Sequence, residues 1–272
     1  MRLGIIGESL IERIIARTNM ALSWKRIPLL RWSAWRLVFG MKRLTTEWQV
    51  GDGREARLAE YVVARARRDD PADVIRIIDE YCYNRSIMIN VGDEKGRILD
   101  AAVADASPAR VLELGTYCGY SALRMAVAAP SAQIVSIEFN AANAEIARRI
   151  LDHAGVGGRV AVVVGTLGDG GRTVDTLRNA HGFGAGSVDL LFIDHDKKAY
   201  LSDLQLILEQ GWLRPGALVV ADNIKFPGAP EYRAYMIENE GKRWRTIEHE
   251  THAEYQSVIK DLVLVSEYLN NA

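Results

Sequence analysis

The sequence is poor in cysteine: Cys82 and Cys118 are the only two in 272 residues, too few for a disulfide framework. A reducing compartment, and hence a cytoplasmic protein, is the expectation. No apolar run reaches the roughly 20 residues that span a bilayer. Residues 1–20 lack the long apolar core and small-residue cleavage site of a secretory leader. Internal repeats and low-complexity stretches are absent, as are a serine elbow and a G-x-G-x-x-G fingerprint. His153, His181, His249 and His252 show no metal-ligand spacing. Net charge is almost absent too, at −1, but it is unevenly spread. Residues 1–43 carry nine Lys or Arg against Glu8 and Glu12, a balance of +7 that leaves −8 on the remainder. A body of that sign argues against general nucleic-acid binding.

What is present is a globular composition, 49% hydrophobic and 25% charged, in a chain long enough for one large α/β domain behind an extension. Its organising stretch is RVLELGTYCGYS, residues 110–121. Val111, Leu112 and Leu114, interrupted by Glu113, read as a buried parallel strand ending at Gly115, and Gly119 opens a helical run. A strand, a glycine turn and a helix place free N–H groups and a closely approaching backbone at a ligand. The spacing is G-x-x-x-G, and Glu113 ahead of it would repel a phosphate. A ligand bearing an amine and a positive charge fits better, and S-adenosylmethionine is one. An ordinary βα turn without a ligand is the alternative.

Residues 1–50 form a basic extension rich in aromatics, including Trp24, Trp32 and Trp35, and residues 51–272 form the main domain. If residues 29–40 are helical, Trp32, Trp35 and Phe39 share one face, an arrangement suited to peripheral membrane contact or to packing on the domain or a second subunit. EARLAEYVVARAR, then PADVIRIIDEYCY with Asp70 as cap, then RILDAAVADA read as a helical lid, with NVGDEKG (90–96) as a polar link into the third helix. Strands are expected at 110–114, 133–138, 159–164, 188–193 and 217–221, alternating with helices, and a closing pair near 243–250 and 256–266. The alternation means a doubly wound, mostly parallel α/β sheet with right-handed crossovers.

Ligands of such sheets bind beyond the carboxyl ends of the strands. Those ends carry Glu113, Glu138, Asp194 and Asp222, an acid-rich rim that calls for a cation or a cationic ligand. Glu138 lies 23 residues after Gly115, near the offset at which an acid meets ribose hydroxyls. Asp194, Asp222 and Asn223 would make a hard all-oxygen set suited to Mg²⁺, although Asp-Asn after a strand is also a plain turn. Lys197 follows Asp194 by three residues and could act as a base, as could Lys198, or be a solvated helix lysine. His195 should point to the opposite face from Asp194.

Several blocks in order then resemble the catechol O-methyltransferase family: NVGDEKG, VLELGTYCGYSALRMA (111–126), FIDHDKKAYL (192–201), WLRPG (212–216) and ADNIKFPGAPEYRAY (221–235). The resemblance covers roughly residues 50–268 and implies a class I, Rossmann-like methyltransferase with a seven-stranded sheet. It implies that Val91, Glu113, Gly115, Tyr117 and Ser121 line the methionine half of S-adenosylmethionine. Glu138 would hold its ribose and His195 its adenine side, with Asp194 bordering the cofactor. It further implies Asp194, Asp222 and Asn223 as Mg²⁺ ligands, Lys197 as general base, and Glu254 as the carboxylate on a second catechol hydroxyl. Ile87, Ile89, Asp196 and Pro227, with Lys197, Asn223 and Glu254, would border a small-molecule catechol. The chain departs from the family at the substrate, with Ile87 and Asp196 where tryptophans stand, Ile89 where methionine stands, and Leu167 and Gly168 near the adenine. Asp196 resembles caffeoyl-coenzyme-A-type enzymes, which act on larger vicinal diphenols. A monomer or homodimer is expected. An NAD-dependent oxidoreductase and a non-catalytic scaffold are the rival classes.

Overall fold

Burial from Arg110 onward follows the alternation of the sequence. The protein is seen in a computed structural model that describes residue 49 and residues 51–270. The expectation for residues 29–40 lies outside the described residues.

Among the described residues three helices precede the sheet: α1 (Arg54–Arg65), α2 (Pro71–Asn84) and α3 (Gly92–Ala106). Asp70 caps α2, its carboxylate accepting from Asp73 N at 3.0 Å, and Pro71 sits where a helix tolerates a missing N–H. NVGDEKG is not a link. Its last five residues form the first turn of α3 and bury Lys95 and Gly96. Polar composition signalled solvent, but these side chains face other polar groups inside the protein.

The alternating part comprises β1 (Arg110–Leu114), α4 (Tyr120–Ala128), β2 (Gln133–Glu138), α5 (Ala141–His153), β3 (Val160–Val164), α6 (Arg172–His181), β4 (Val188–Ile193), α7 (Tyr200–Glu209) and β5 (Leu213–Ala221). A tight turn (Ile224–Gly228), α8 (Pro230–Glu238), β6 (Trp244–His252) and β7 (Lys260–Tyr268) follow. Asn140 caps α5 as expected, accepting from Ala142 N at 2.8 Å. β5 begins four residues earlier than expected, because Leu213 pairs with Val188 ahead of an irregularity in the ladder.

The strand order is β3-β2-β1-β4-β5-β7-β6, with β1 to β5 parallel and β7 antiparallel to both of its neighbours. Side chains alternate between two cores. Val111, Ile134, Phe192 and Val220 face a layer built by α1 to α5, so the lid helices are part of that layer. Leu112, Val135, Ile193 and Val219 face α6, α7 and α8. Each fully buried Leu, Ile or Val of these stripes contributes about 1.5–3 kcal/mol. Among the described residues no helix is long and apolar enough to cross a membrane.

Candidate active site

The strand order reverses at β1, so a crevice opens where the chain leaves β1 and β4. Gly115 stands in it at φ 102°, and a Cβ there would lie 2.3 Å from the carbonyl oxygen of Asp194. The glycine is required by that approach as much as by its dihedral. Gly119, at φ 83°, precedes the first turn of α4. Between them Tyr117 holds a positive φ of 48°. Its N–H donates to Glu138 Oε2 at 2.7 Å and its hydroxyl to Glu55 Oε1 of α1 at 3.0 Å. Asn140 N donates to the other Glu138 oxygen at 2.9 Å.

Glu113 is fully buried in β1, opposite Ser136 of β2. Ser121 and Ser136 each donate to one of its carboxylate oxygens. Burial pushes its pKa up to about 7, the two serine hydroxyls restrain it, and the charges of Asp194 and Glu138 add to the rise. Burial raises Glu138 as well, against the backbone N–H groups that lower it. Val91 is buried just before α3, and the neighbouring Asn90 Oδ1 is buried without a hydrogen-bond partner. His195 places its backbone nitrogen next to Gly115. Its ring stacks on Tyr200 and bonds Asp203 Oδ2 at 2.8 Å, on the α7 side. Leu167 belongs to the core beneath α6, and Gly168 is exposed.

The other half of the crevice is set by register. Ile193 of β4 pairs with Ala221 of β5, so Asp194 and Asp222 leave adjacent strands side by side. Lys197 Nζ donates to Asp194 Oδ1 at 2.9 Å and to the Tyr200 hydroxyl at 2.7 Å, and that hydroxyl donates to Asp222 O at 3.1 Å. Lys198 is exposed, so of these two lysines Lys197 is the one engaged here. Asn223, at φ 56°, donates from its amide nitrogen to Glu254 Oε1 at 2.9 Å and to Asp261 Oδ2 at 3.0 Å. Two carboxylate partners identify that atom as nitrogen and leave the amide oxygen as the donor to a cation. Burial pushes Asp222 up to about 8, with Lys95 restraining the rise and the neighbouring acids adding to it. Asp222 Oδ2 has Lys95 Nζ 2.9 Å away as an ionic neighbour, yet no hydrogen-bond donor is aligned on it. Asp194, Asp222 and Asn223 are the residues that could hold a metal. Among the described residues no three His, Cys, Asp or Glu side chains form a metal-sized group; the expected set has two carboxylates and one amide.

Around this half, Ile87 is buried and its carbonyl accepts from Arg54 Nη1 at 2.6 Å, while Ile89 packs partly buried against the first core. Asp196 and Pro227 are exposed. Three residues were not singled out from sequence. Lys95 lay in a block read as a link, and Asp261 opens the apolar run of β7. Phe226, beside Pro227, is 47% exposed, and its N–H is anchored by Asp261 Oδ1 at 2.9 Å.

Residues 73–245 match the family described as O-methyltransferase. The chain is 59% identical over 230 residues to the Mycobacterium tuberculosis (strain H37Rv) protein named Probable O-methyltransferase Rv1703c, covering 85% of this chain and 98% of that one. It is 40% identical over 203 residues to Catechol O-methyltransferase B of Danio rerio, covering 74% of each. The O-methyltransferase TomG from Streptomyces achromogenes, solved in complex with SAM, shares the fold: TM-score 0.58 at 22% identity, covering 76% of this chain and 92% of that one. Together with the crevice at β1, these relationships settle the family: the chain belongs to the O-methyltransferases, enzymes that take a methyl group from S-adenosylmethionine and place it on oxygen.

Proposed function

We propose that the acceptor is a catechol-type vicinal diphenol and that the reaction depends on Mg²⁺ held by Asp194, Asp222 and Asn223. The observation that carries this reading is the pairing of Asp194 and Asp222 on register-matched strand ends, with Lys197 Nζ 2.9 Å from Asp194. A hard divalent cation fits the donor chemistry: a buried Asp222 oxygen lacking a donor, a second carboxylate, and an amide whose nitrogen is already engaged. When bound, such a cation would supply Lewis acidity at the acceptor.

The remaining work falls to the chain. Glu113 meets the ammonium of the methionine half and Glu138 the ribose hydroxyls. Glu254 accepts from the hydroxyl that is not methylated. Lys197 Nζ, as the neutral amine, takes the proton from the other hydroxyl. The acceptor oxygen then attacks the methyl carbon in line, and the sulfur departs as a thioether with the carbon–sulfur bond pair. Holding both reactants at near-attack distance accounts for roughly 7–11 kcal/mol in favourable cases. Larger vicinal diphenols are the second reading, favoured by the exposed Asp196 at the rim.

An acceptor screen with labelled methyl donor, using dihydroxybenzoate, caffeoyl compounds, flavonoids and a monomethylated control, separates the two by whether the small or the larger diphenols are preferred. Transfer to vicinal diphenols and none to the control supports catechol chemistry; equal transfer to the control contradicts it.

A further inference from the structure

Lys95 has no part in the reaction outlined above, yet it occupies the centre of the acceptor half. It lies in the first turn of α3 and is 1% exposed. Its ammonium stands 2.9 Å from Asp222 Oδ2, 3.1 Å from Asp261 Oδ2 and 2.5 Å from Glu254 Oε1. Asn223 Nδ2 reaches the same Glu254 and Asp261 oxygens. Five side chains from α3, the end of β5, the β6–β7 connection and the start of β7 thus share one network. Asp261 ties it to the backbone, its Oδ1 accepting from Lys225 N, Phe226 N and Leu262 N at 3.2, 2.9 and 2.8 Å.

A buried ammonium is costly unless it is paired, and an apolar replacement would serve packing as well or better. The arrangement has a second property. Four carboxyl groups, of Asp194, Asp222, Asp261 and Glu254, crowd this half of the crevice, and Lys95 Nζ lies within 3.1 Å of three of them. Glu254 is the most exposed member of the Lys95 network, with an 18% exposed side chain, and Lys95 is the charge that faces it on the side of Asn223.

We propose that Lys95 is a positioning residue, which aims Glu254 at the acceptor and sets the residual charge that a divalent cation meets at Asp194, Asp222 and Asn223. The inference rests on the divalent-cation reading above. Removing the ammonium does two opposite things. Glu254 is released toward solvent, which weakens acceptor binding. Asp222 loses a repelling neighbour of the cation, which strengthens metal binding.

The test is Mn²⁺ titration of the full chain by electron paramagnetic resonance without acceptor, beside steady-state kinetics on dihydroxybenzoate. In Lys95→Met the Mn²⁺ Kd should tighten about fivefold or more. The acceptor KM should rise about tenfold for the lost aim of a charged hydrogen-bond partner, and the S-adenosylmethionine Kd should stay within about twofold. Lys95→Arg, which keeps the charge with a different shape, should return the Mn²⁺ Kd to near wild type while KM stays raised. Unchanged Mn²⁺ affinity and KM in Lys95→Met overturns the proposal, as does weakened Mn²⁺ binding in both variants. Where circular dichroism shows that Lys95→Met does not fold, Lys95→Gln, of similar length and still polar, gives the same two readouts: a tightened Mn²⁺ Kd with a raised KM supports the proposal, and both unchanged overturns it. A wild-type enzyme that binds no Mn²⁺ removes the divalent-cation reading itself. Wild-type Mn²⁺ binding that ignores Lys95→Met removes Lys95 alone.

Discussion

Glu113 carries a conflict between burial and ionisation. Its pKa rises on folding from 4.5 to about 7, so above pH 4.5 the folded chain holds a proton that the unfolded chain has lost. Stability therefore falls as pH climbs from 4.5 toward 7, by on the order of 3 kcal/mol from this group alone. Glu113→Gln should flatten that part of the profile, measured by urea unfolding at stepped pH. A cationic ligand reverses the preference, because an ammonium stabilises the carboxylate. Binding of S-adenosylmethionine near pH 6.5 should release a fraction of a proton, read by calorimetry in buffers of different ionisation heat; Glu113→Gln should lose that release. Glu138→Ala should weaken cofactor binding by about 1.5–3 kcal/mol, the worth of charge-assisted hydrogen bonds. An unchanged Kd in equilibrium dialysis would detach Glu138 from the cofactor.

The turns between elements hold most of the residues proposed for the reaction. The β1–α4 turn was legible because Gly115 and Gly119 mark it, and the structure supplies the reason: the β4 end passes within 2.3 Å of the place a Cβ would take. Gly115→Ala should cost about 1–3 kcal/mol in unfolding free energy and erode cofactor binding, since backbone rather than a flexible side chain must move. The α3 start was not legible. Periodicity assigns polar residues to solvent, and NVGDEKG is polar because it enters a charged network instead. Asp261 was hidden for the complementary reason, as one acid at the head of the apolar strand β7 with partners that only tertiary contact supplies. The proposed acceptor rim combines the β4–α7 turn, with exposed Asp196, and the turn after β5, with exposed Phe226 and Pro227. A tryptophan at either departure would add about 0.5–1.5 kcal/mol of aromatic contact. Losing two can erode a tenfold preference, since 1.4 kcal/mol is a factor of ten. Dihydroxybenzoate should yield mixed meta and para products, and Ile87→Trp should sharpen the ratio; chromatography giving one isomer in large excess would show that Phe226 or its neighbours rebuild the wall.

At the scale of the molecule, strand and helix alternation sufficed for the class of fold, because buried parallel strands are continuous apolar runs whose crossovers have one hand. The order β3-β2-β1-β4-β5-β7-β6 was not contained in that pattern. It matters because it places Gly115 against Asp194 and Asp194 against Asp222, so the cofactor crevice and the acid pair share the β4 end. The central claim is that this shared end holds a divalent cation that the methyl acceptor needs. The most direct measurement is the rate of label transfer from S-adenosylmethionine to dihydroxybenzoate in Mg²⁺, then in excess EDTA, then after Mg²⁺ is restored. The rate should fall to background in EDTA and recover with Mg²⁺; transfer at full rate in EDTA would contradict the account.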